Sequence, residues 1–174
     1  MATETSIIKD KFGPECVVSV YDPALGMQGF LVIDNTVLGP AKGGIRMTPN
    51  VTAEEVFRLA RAMTWKNAIA GISFGGGKAG IIWPSSAAGK QGGSDDLKKK
   101  FVQSFARAIS IFTPKRYIAG PDVNTGAREM QWFVEATGKW NSATGKPENL
   151  CIKVLNRWEK CGIPHEAGST GFGV

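Results

Sequence analysis

Three lysines fall within 37 residues of this 174-residue chain, and each keeps unusual company. Lys42 stands in Gly39-Pro40-Ala41-Lys42-Gly43-Gly44-Ile45-Arg46, Lys66 in Met63-Thr64-Trp65-Lys66-Asn67-Ala68, and Lys78 in Gly75-Gly76-Gly77-Lys78-Ala79-Gly80. Glycine permits positive φ and strips away side chains, so other groups can approach closely. A lysine in such a setting is partly desolvated, which favours its neutral form and suits it to acid–base work. Asp122 follows Gly120-Pro121 and precedes a helix capped near Thr125. Its plain reading is a turn or capping residue. Its functional reading is a carboxylate at a strand end that exchanges protons with an amine. Together these residues can grip carboxylates through charge-assisted hydrogen bonds and move a proton. Arg46, alternating with Lys42, reads as half of a structural ion pair.

The elements must place these side chains together. Val56, Leu59, Ala60 and Met63 repeat at three and four residues. They mark the inward face of a helix running from a Thr52–Glu55 capping box to Gly71. Lys66 lies seven residues after Leu59, about 20° further round, and so points with the apolar stripe. Gly80-Ile81-Ile82-Trp83 reads as a buried strand stopped by Pro84, which puts Lys78 on a glycine-rich turn entering it. For Lys42 and Lys78 the plain alternative is an exposed loop lysine.

Around this centre, Cys16–Tyr21 and Gln28–Asp34 read as a hairpin, and 85–94 as a loop. A helix follows from Ser94 to about Phe112, with Leu97, Phe101, Phe105, Ala108 and Phe112 inward. Asp95 and Asp96 complement its dipole. Tyr117–Ala119 is a short strand, and a helix from Thr125 to Gly138 carries Met130, Phe133 and Val134. A last helix is expected from Glu148 to about Lys160. Strands interleaved with helices imply an α/β layered domain.

Composition narrows the function further. Apolar content of 43% and charged content of 21% describe a globular chain with one domain's worth of core. No apolar run is long enough to span a membrane, and Met1–Thr5 lacks a secretion layout, so a cytoplasmic protein is expected. Cys16, Cys151 and Cys161 form no Cys-x-x-Cys pair and read as ordinary free thiols. With His165 as the only imidazole, neither a metal site nor a Ser-His-Asp triad is supported. The net charge is +6, but the one dense basic run, Lys98-Lys99-Lys100, sits beside Asp95 and Asp96 and reads as a solvated helix face, not a nucleic-acid surface. Gly75–Gly80 satisfies G-x-G-x-x-G formally, yet a strand follows it where a dinucleotide fingerprint requires a helix. It also fails as a phosphate loop, because Ala79 stands where Ser or Thr is needed.

The string from Gly39 through Ile81, with Ala119-Gly120-Pro121-Asp122-Val123-Asn124-Thr125-Gly126, resembles the N-terminal substrate domain of the glutamate/leucine/phenylalanine/valine dehydrogenases. Spacings of 24 from Lys42 to Lys66 and 12 from Lys66 to Lys78 match that family's pattern. The resemblance implies oxidative deamination of an L-amino acid to a 2-oxo acid and ammonia, with hydride passing to NAD or NADP in the complete enzyme. By position, Lys66 resembles the lysine that holds the α-carboxylate, Lys78 the catalytic lysine, and Asp122 the aspartate that shuttles protons. Lys42 occupies the position that reads the substrate side chain, where lysine implies glutamate and leucine a branched-chain substrate; Met63 lines the same pocket. Gly39-Pro40-Ala41 and Arg46-Met47 are closer to the branched-chain enzymes.

The resemblance implies a single three-layer-like domain over residues 1–163, a mixed central sheet flanked by helices, that forms homo-oligomers. Residues 164–174 are similar to the lead-in to a Rossmann cofactor domain, itself absent from the chain. On that reading the chain alone lacks turnover. The rival is a non-catalytic assembly or regulatory subunit that keeps the fold.

Overall fold

The computed structural model describes residue 7, residues 9–84, 93–155, 158–164 and residue 167. The β-branched runs near the start form the expected hairpin, with β1 (Cys16–Asp22) antiparallel to β2 (Met27–Asn35). Asp22 Oδ1 accepts from the amides of Ala24 and Leu25 and so shapes the connecting loop. Next come β3 (Ala41–Thr48), α1 (Ala53–Ile69), β4 (Gly75–Ile82), α2 (Gly93–Ala108), β5 (Tyr117–Gly120) and α3 (Ala127–Thr137). The sheet order is β1-β2-β4-β3-β5. β4 runs antiparallel to β2 and parallel to β3, and β3 runs parallel to β5, so the sheet is mixed. Val56 and Ala60 of α1 pack with Val32 on one face. Phe101 and Phe105 of α2, with Met130 and Phe133 of α3, pack with Leu31, Ile45 and Ile81 on the other. Helix, sheet and helix make the expected three layers.

The glycine run differs from its reading as a turn. Gly75, Gly76, Gly77 and Lys78 all lie inside β4 and are buried. Glycine has poor strand propensity, but packing overrides it. A Cβ on Gly76 would come within 2.0 Å of Thr64 Oγ1 and 2.2 Å of the Thr64 amide nitrogen. Only glycine lets α1 lie this close to the strand.

The buried face of α1 is also rotated from the expected one. It comprises Ala53, Val56, Phe57, Ala60, Thr64 and Asn67. Leu59 and Met63 are half-buried and Lys66 is exposed, so that stripe flanks the core. Thr52 Oγ1 accepts from the Glu55 amide at 3.1 Å, as a cap should. The Glu55 carboxylate does not complete the box; it takes Arg46 Nη1 at 2.6 Å. In α2, Val102 and Ala106 are buried and Ala108 is exposed. Lys98 is not on a solvated face: it is buried, with Nζ 3.0 Å from Glu129 Oε1 of α3. Lys100 does stay at the surface, paired with Asp96.

The expected last helix is replaced by a two-stranded ribbon, β6 (Cys151–Val154) antiparallel to β7 (Trp158–Cys161). Cys151 and Cys161 sit opposite each other and form a disulfide. Their Cα atoms are 4.0 Å apart, where ten residues of helix would separate them by about 15 Å. The expectation of three free thiols is therefore corrected; Cys16 alone is free and half-buried. Among the described residues no helix is long and apolar enough to cross a membrane. His165, most of the 85–94 loop and the stretch 166–174, save Ala167, lie outside the described residues.

Candidate functional site

Register decides which side chains meet. Lys42 pairs with Gly76 across β3–β4 and with Ile118 across β3–β5, and Gly44 pairs with Gly120. Side chains alternate along each strand, so Lys42, Lys78 and the continuation of β5 toward Asp122 share one face. That face also carries α1, which packs chiefly on β4 and β2. The β3–β5 side remains as the floor of a cavity of about 1140 Å³. Lys42, Met63, Lys66, Lys78 and Asp122 all line it. The structure therefore brings all five sequence-derived residues to one hollow.

At the inner end, Lys78 Nζ lies 3.0 Å from Asp122 Oδ2, and Arg46 Nε reaches the same oxygen at 3.1 Å. Arg46 is in turn paired with Glu55, which gives it the structural role read from the sequence. Asp122 approaches from beyond β5 by crossing β3 at Gly44. A Cβ there would come within 2.6 Å of Pro121 O and 2.7 Å of Asp122 Cβ. Thr125 fixes the turn: its Oγ1 accepts from the Asp122 amide at 2.8 Å and donates to Ile45 O at 2.7 Å. Thr125 is thus a brace for the aspartate, while the cap of α3 falls to Gly126, whose amide donates to Glu129. Burial alone would raise the Asp122 carboxyl, but the charges and hydrogen bonds of Lys78 and Arg46 outweigh it and hold the group below its usual value. Asp122 is thus held as an ionised carboxylate.

In the middle of the cavity, Lys42 Nζ donates to Thr144 Oγ1 at 2.6 Å and sits 5.9 Å from the Phe74 ring. Burial lowers its value from 10.5 to about 8. Lys66 lies on the α1 rim, with its ammonium open to a ligand, and Met63 supplies apolar wall between them.

Sequence reasoning missed the far wall. Trp140, Thr144 and Lys146 come from the segment after α3, and Lys160 from β7. Lys146 is only 4% exposed, donates to Ala143 O and lies 3.9 Å from the Trp140 ring centre. Its signal in the sequence is the run Thr144-Gly145-Lys146-Pro147, another lysine beside glycine.

A nicotinamide dinucleotide does not fit the glycines present. Gly75 to Gly80 are strand interior, sealed by α1 on one side, and present no helix N-terminus to a pyrophosphate.

This arrangement defines a class: an α/β domain whose mixed sheet carries a cation-lined cleft with one ionised acid. The family model described as Glu/Leu/Phe/Val dehydrogenase, dimerisation domain, matches residues 14–139, and the chain belongs to that family. It is 36% identical over 175 residues to the NADP-specific glutamate dehydrogenase of Saccharolobus shibatae, covering 92% of this chain and 38% of that protein. Against the NAD-specific glutamate dehydrogenase of Clostridioides difficile it is 35% identical over 147 residues, covering 84% and 33%. Its fold matches the Leu-bound hetero-hexameric glutamate dehydrogenase of Thermus thermophilus with a TM-score of 0.70 and 28% identity, over 79% of this chain and 35% of that one. The chain thus spans about a third of the length of these relatives. Residues 14–139 correspond to the dimerisation domain of that family.

Proposed function

We propose that this domain binds L-glutamate and 2-oxoglutarate for an NAD- or NADP-dependent oxidative deamination. The observation that carries the reading is the convergence of Lys42, Lys66, Lys78 and Asp122 on one cavity. Lys66 grips the α-carboxylate. Lys42, with Thr144, meets the side-chain carboxylate against Met63. An ion pair with a carboxylate in this half-buried setting favours a dicarboxylate over an apolar amino acid. Asp122 takes a proton from the substrate amine, and Lys78 beside it polarises the 2-oxo or imine group through its heteroatom and assists the attack of water on the carbon. Hydride must go to a nicotinamide held by a unit additional to the residues described, so turnover requires that unit as well. Names of the relatives support both NAD and NADP as acceptors. The family's description as a dimerisation domain and the hexameric assembly of the Thermus protein support self-association.

Isothermal titration of the chain with L-glutamate and with 2-oxoglutarate tests the assignment. Binding should weaken about tenfold or more in Lys66→Gln and in Lys42→Leu, the worth of one charge-assisted contact. A folded wild-type chain that gives heat with neither ligand sinks the reading. A Lys42→Leu variant that still prefers glutamate to leucine removes Lys42 from the side-chain role.

A further inference from the structure

The cavity holds more positive charge than an amino dicarboxylate can answer. Among the described residues its walls carry Lys42, Lys66, Lys78, Lys146 and Lys160 against the single acid Asp122. Asp122 is already matched by Lys78. Two carboxylates of a bound ligand would engage Lys42 and Lys66. Lys146 and Lys160 are left over, and among the described residues neither has a carboxylate within ion-pair distance.

Their setting is built. Lys146 is buried and lines the cavity, yet among the described residues its Nζ donates only to Ala143 O, so its ammonium has hydrogen-bonding capacity to spare. Burying a cation without an acid is costly, and such a site gains by capturing an anion. The Trp140 ring lies 3.9 Å from Lys146 Nζ and 5.2 Å from Lys160 Nζ, so both ammonium groups gather at one indole. Trp140 is anchored by Nε1 donating to Leu150 O at 3.3 Å. The ribbon is anchored too: a Cβ on Gly162 would come within 2.2 Å of Pro147 O and 2.6 Å of Lys146 O, so β7 presses directly on the segment that carries Lys146. Burial lowers Lys146 to about 8, and the charges of Lys160 and Lys42 add to the shift.

We propose that Lys146 and Lys160, grouped around Trp140, form an anion subsite beside Lys42 that takes a compact oxyanion of a second small molecule, a phosphate or a carboxylate group, while the amino acid occupies the Lys66–Lys42 clamp. That these two lysines are left idle rests on the glutamate assignment, but the subsite itself is built from residues that take no part in that clamp.

The test is titration of the chain with inorganic phosphate and, separately, with citrate, at constant ionic strength in chloride, each with and without saturating L-glutamate. At least one of the two should bind in the presence of glutamate, and which one binds identifies the group. Lys160→Gln, an exposed position that leaves the fold intact, should weaken that binding about tenfold, and Lys146→Met about tenfold or more. Glutamate binding should change less than about twofold in Lys160→Gln. Loss of glutamate binding alone leaves the subsite standing and removes only the substrate reading. Neither phosphate nor citrate binding, unchanged binding in a folded Lys160→Gln, or complete displacement of the anion by glutamate each overturns the subsite.

Discussion

Lys78 Nζ and Arg46 Nε share one oxygen of Asp122, at 3.0 and 3.1 Å. One carboxylate therefore bridges two cations, of which the almost fully buried Lys78 has no other acid among the described residues, while Arg46 also holds Glu55. Asp122→Asn should leave the buried Lys78 uncompensated while Arg46 keeps Glu55, at a cost of about 3 kcal/mol, the lower end for breaking a buried pair because Asp122 keeps some exposure. For a chain of this size that lowers Tm by about 6–12 °C. The pH dependence has a definite sign. The carboxyl is held below its usual 3.8, so its contribution is complete above that value and disappears as pH falls through the lower folded one. Chemical denaturation at about pH 6 should show the full gap between wild type and variant, and at about pH 2 a much smaller one. An equal gap at both would show that charge is not the cause.

Lys42 is also shifted downward, but by burial and not by neighbouring charge. Burial moves it from 10.5 to about 8, so in the ligand-free chain it is cationic below about pH 8 and neutral above. A carboxylate needs the cation. Affinity for L-glutamate should hold steady below pH 8 and fall above it, by at most about tenfold per pH unit. Lys42→Leu should bind weakly with little slope there. Stability runs oppositely: between about 8 and 10.5 the unfolded chain binds more protons than the folded one, so stability rises with pH across that window. Titration calorimetry at a series of pH values, with thermal melts alongside, reads both trends.

Gly76 sets the distance between α1 and β4, and through it the place of Lys66 relative to Lys78. The nearest atoms to a new Cβ are Thr64 Oγ1 at 2.0 Å and the Thr64 backbone nitrogen at 2.2 Å. The hydroxyl is itself held by Asp34 Oδ2 at 2.5 Å, and backbone cannot swing aside. Gly76→Ala should therefore cost about 3 kcal/mol or more, at the upper end for overpacking. Circular dichroism melts would report it. A loss below about 1 kcal/mol would mean that the helix slides easily on the sheet.

That same glycine explains why the sequence was legible in some places and opaque in others. Lys42, Met63, Lys66, Lys78 and Asp122 were legible because each stands in a local motif of distinctive residues. The hairpin and the face of α3 were legible because β-branched runs and three-to-four spacing are local signals. The strand under Gly75–Gly77 was not, because what fixes it is close approach of a helix 12 residues earlier in the chain at Thr64, a tertiary fact. Thr125 and Glu55 carry capping types but spend their side chains on Ile45 O and Arg46, for similar reasons. Over 148–160 the helix reading leans on Gly162 as a stop with Pro164 beyond, while the covalent link that excludes a helix cannot be inferred from two cysteines alone.

The ribbon supplies the last test. Cys151 and Cys161 are opposite partners in β6–β7, and Cys161 and Lys160 both line the cavity. Two four-residue strands have little stability of their own in water, so the disulfide, together with the close packing at Gly162, keeps Lys160 in place. Alkylation with iodoacetamide under denaturing, non-reducing conditions should add a single adduct, at Cys16, and three after reduction, which mass spectrometry counts directly. Closing a loop of about this length is worth about 2–3 kcal/mol against the open chain. Much of that should fall on the ribbon itself, because β6 and β7 pair only with each other. Hydrogen exchange after reduction should accelerate across 151–161 and leave β3 and β4 protected. Exchange that rises equally throughout the sheet would mean that the ribbon is integral to the domain core and not a separately pinned wall of the cavity.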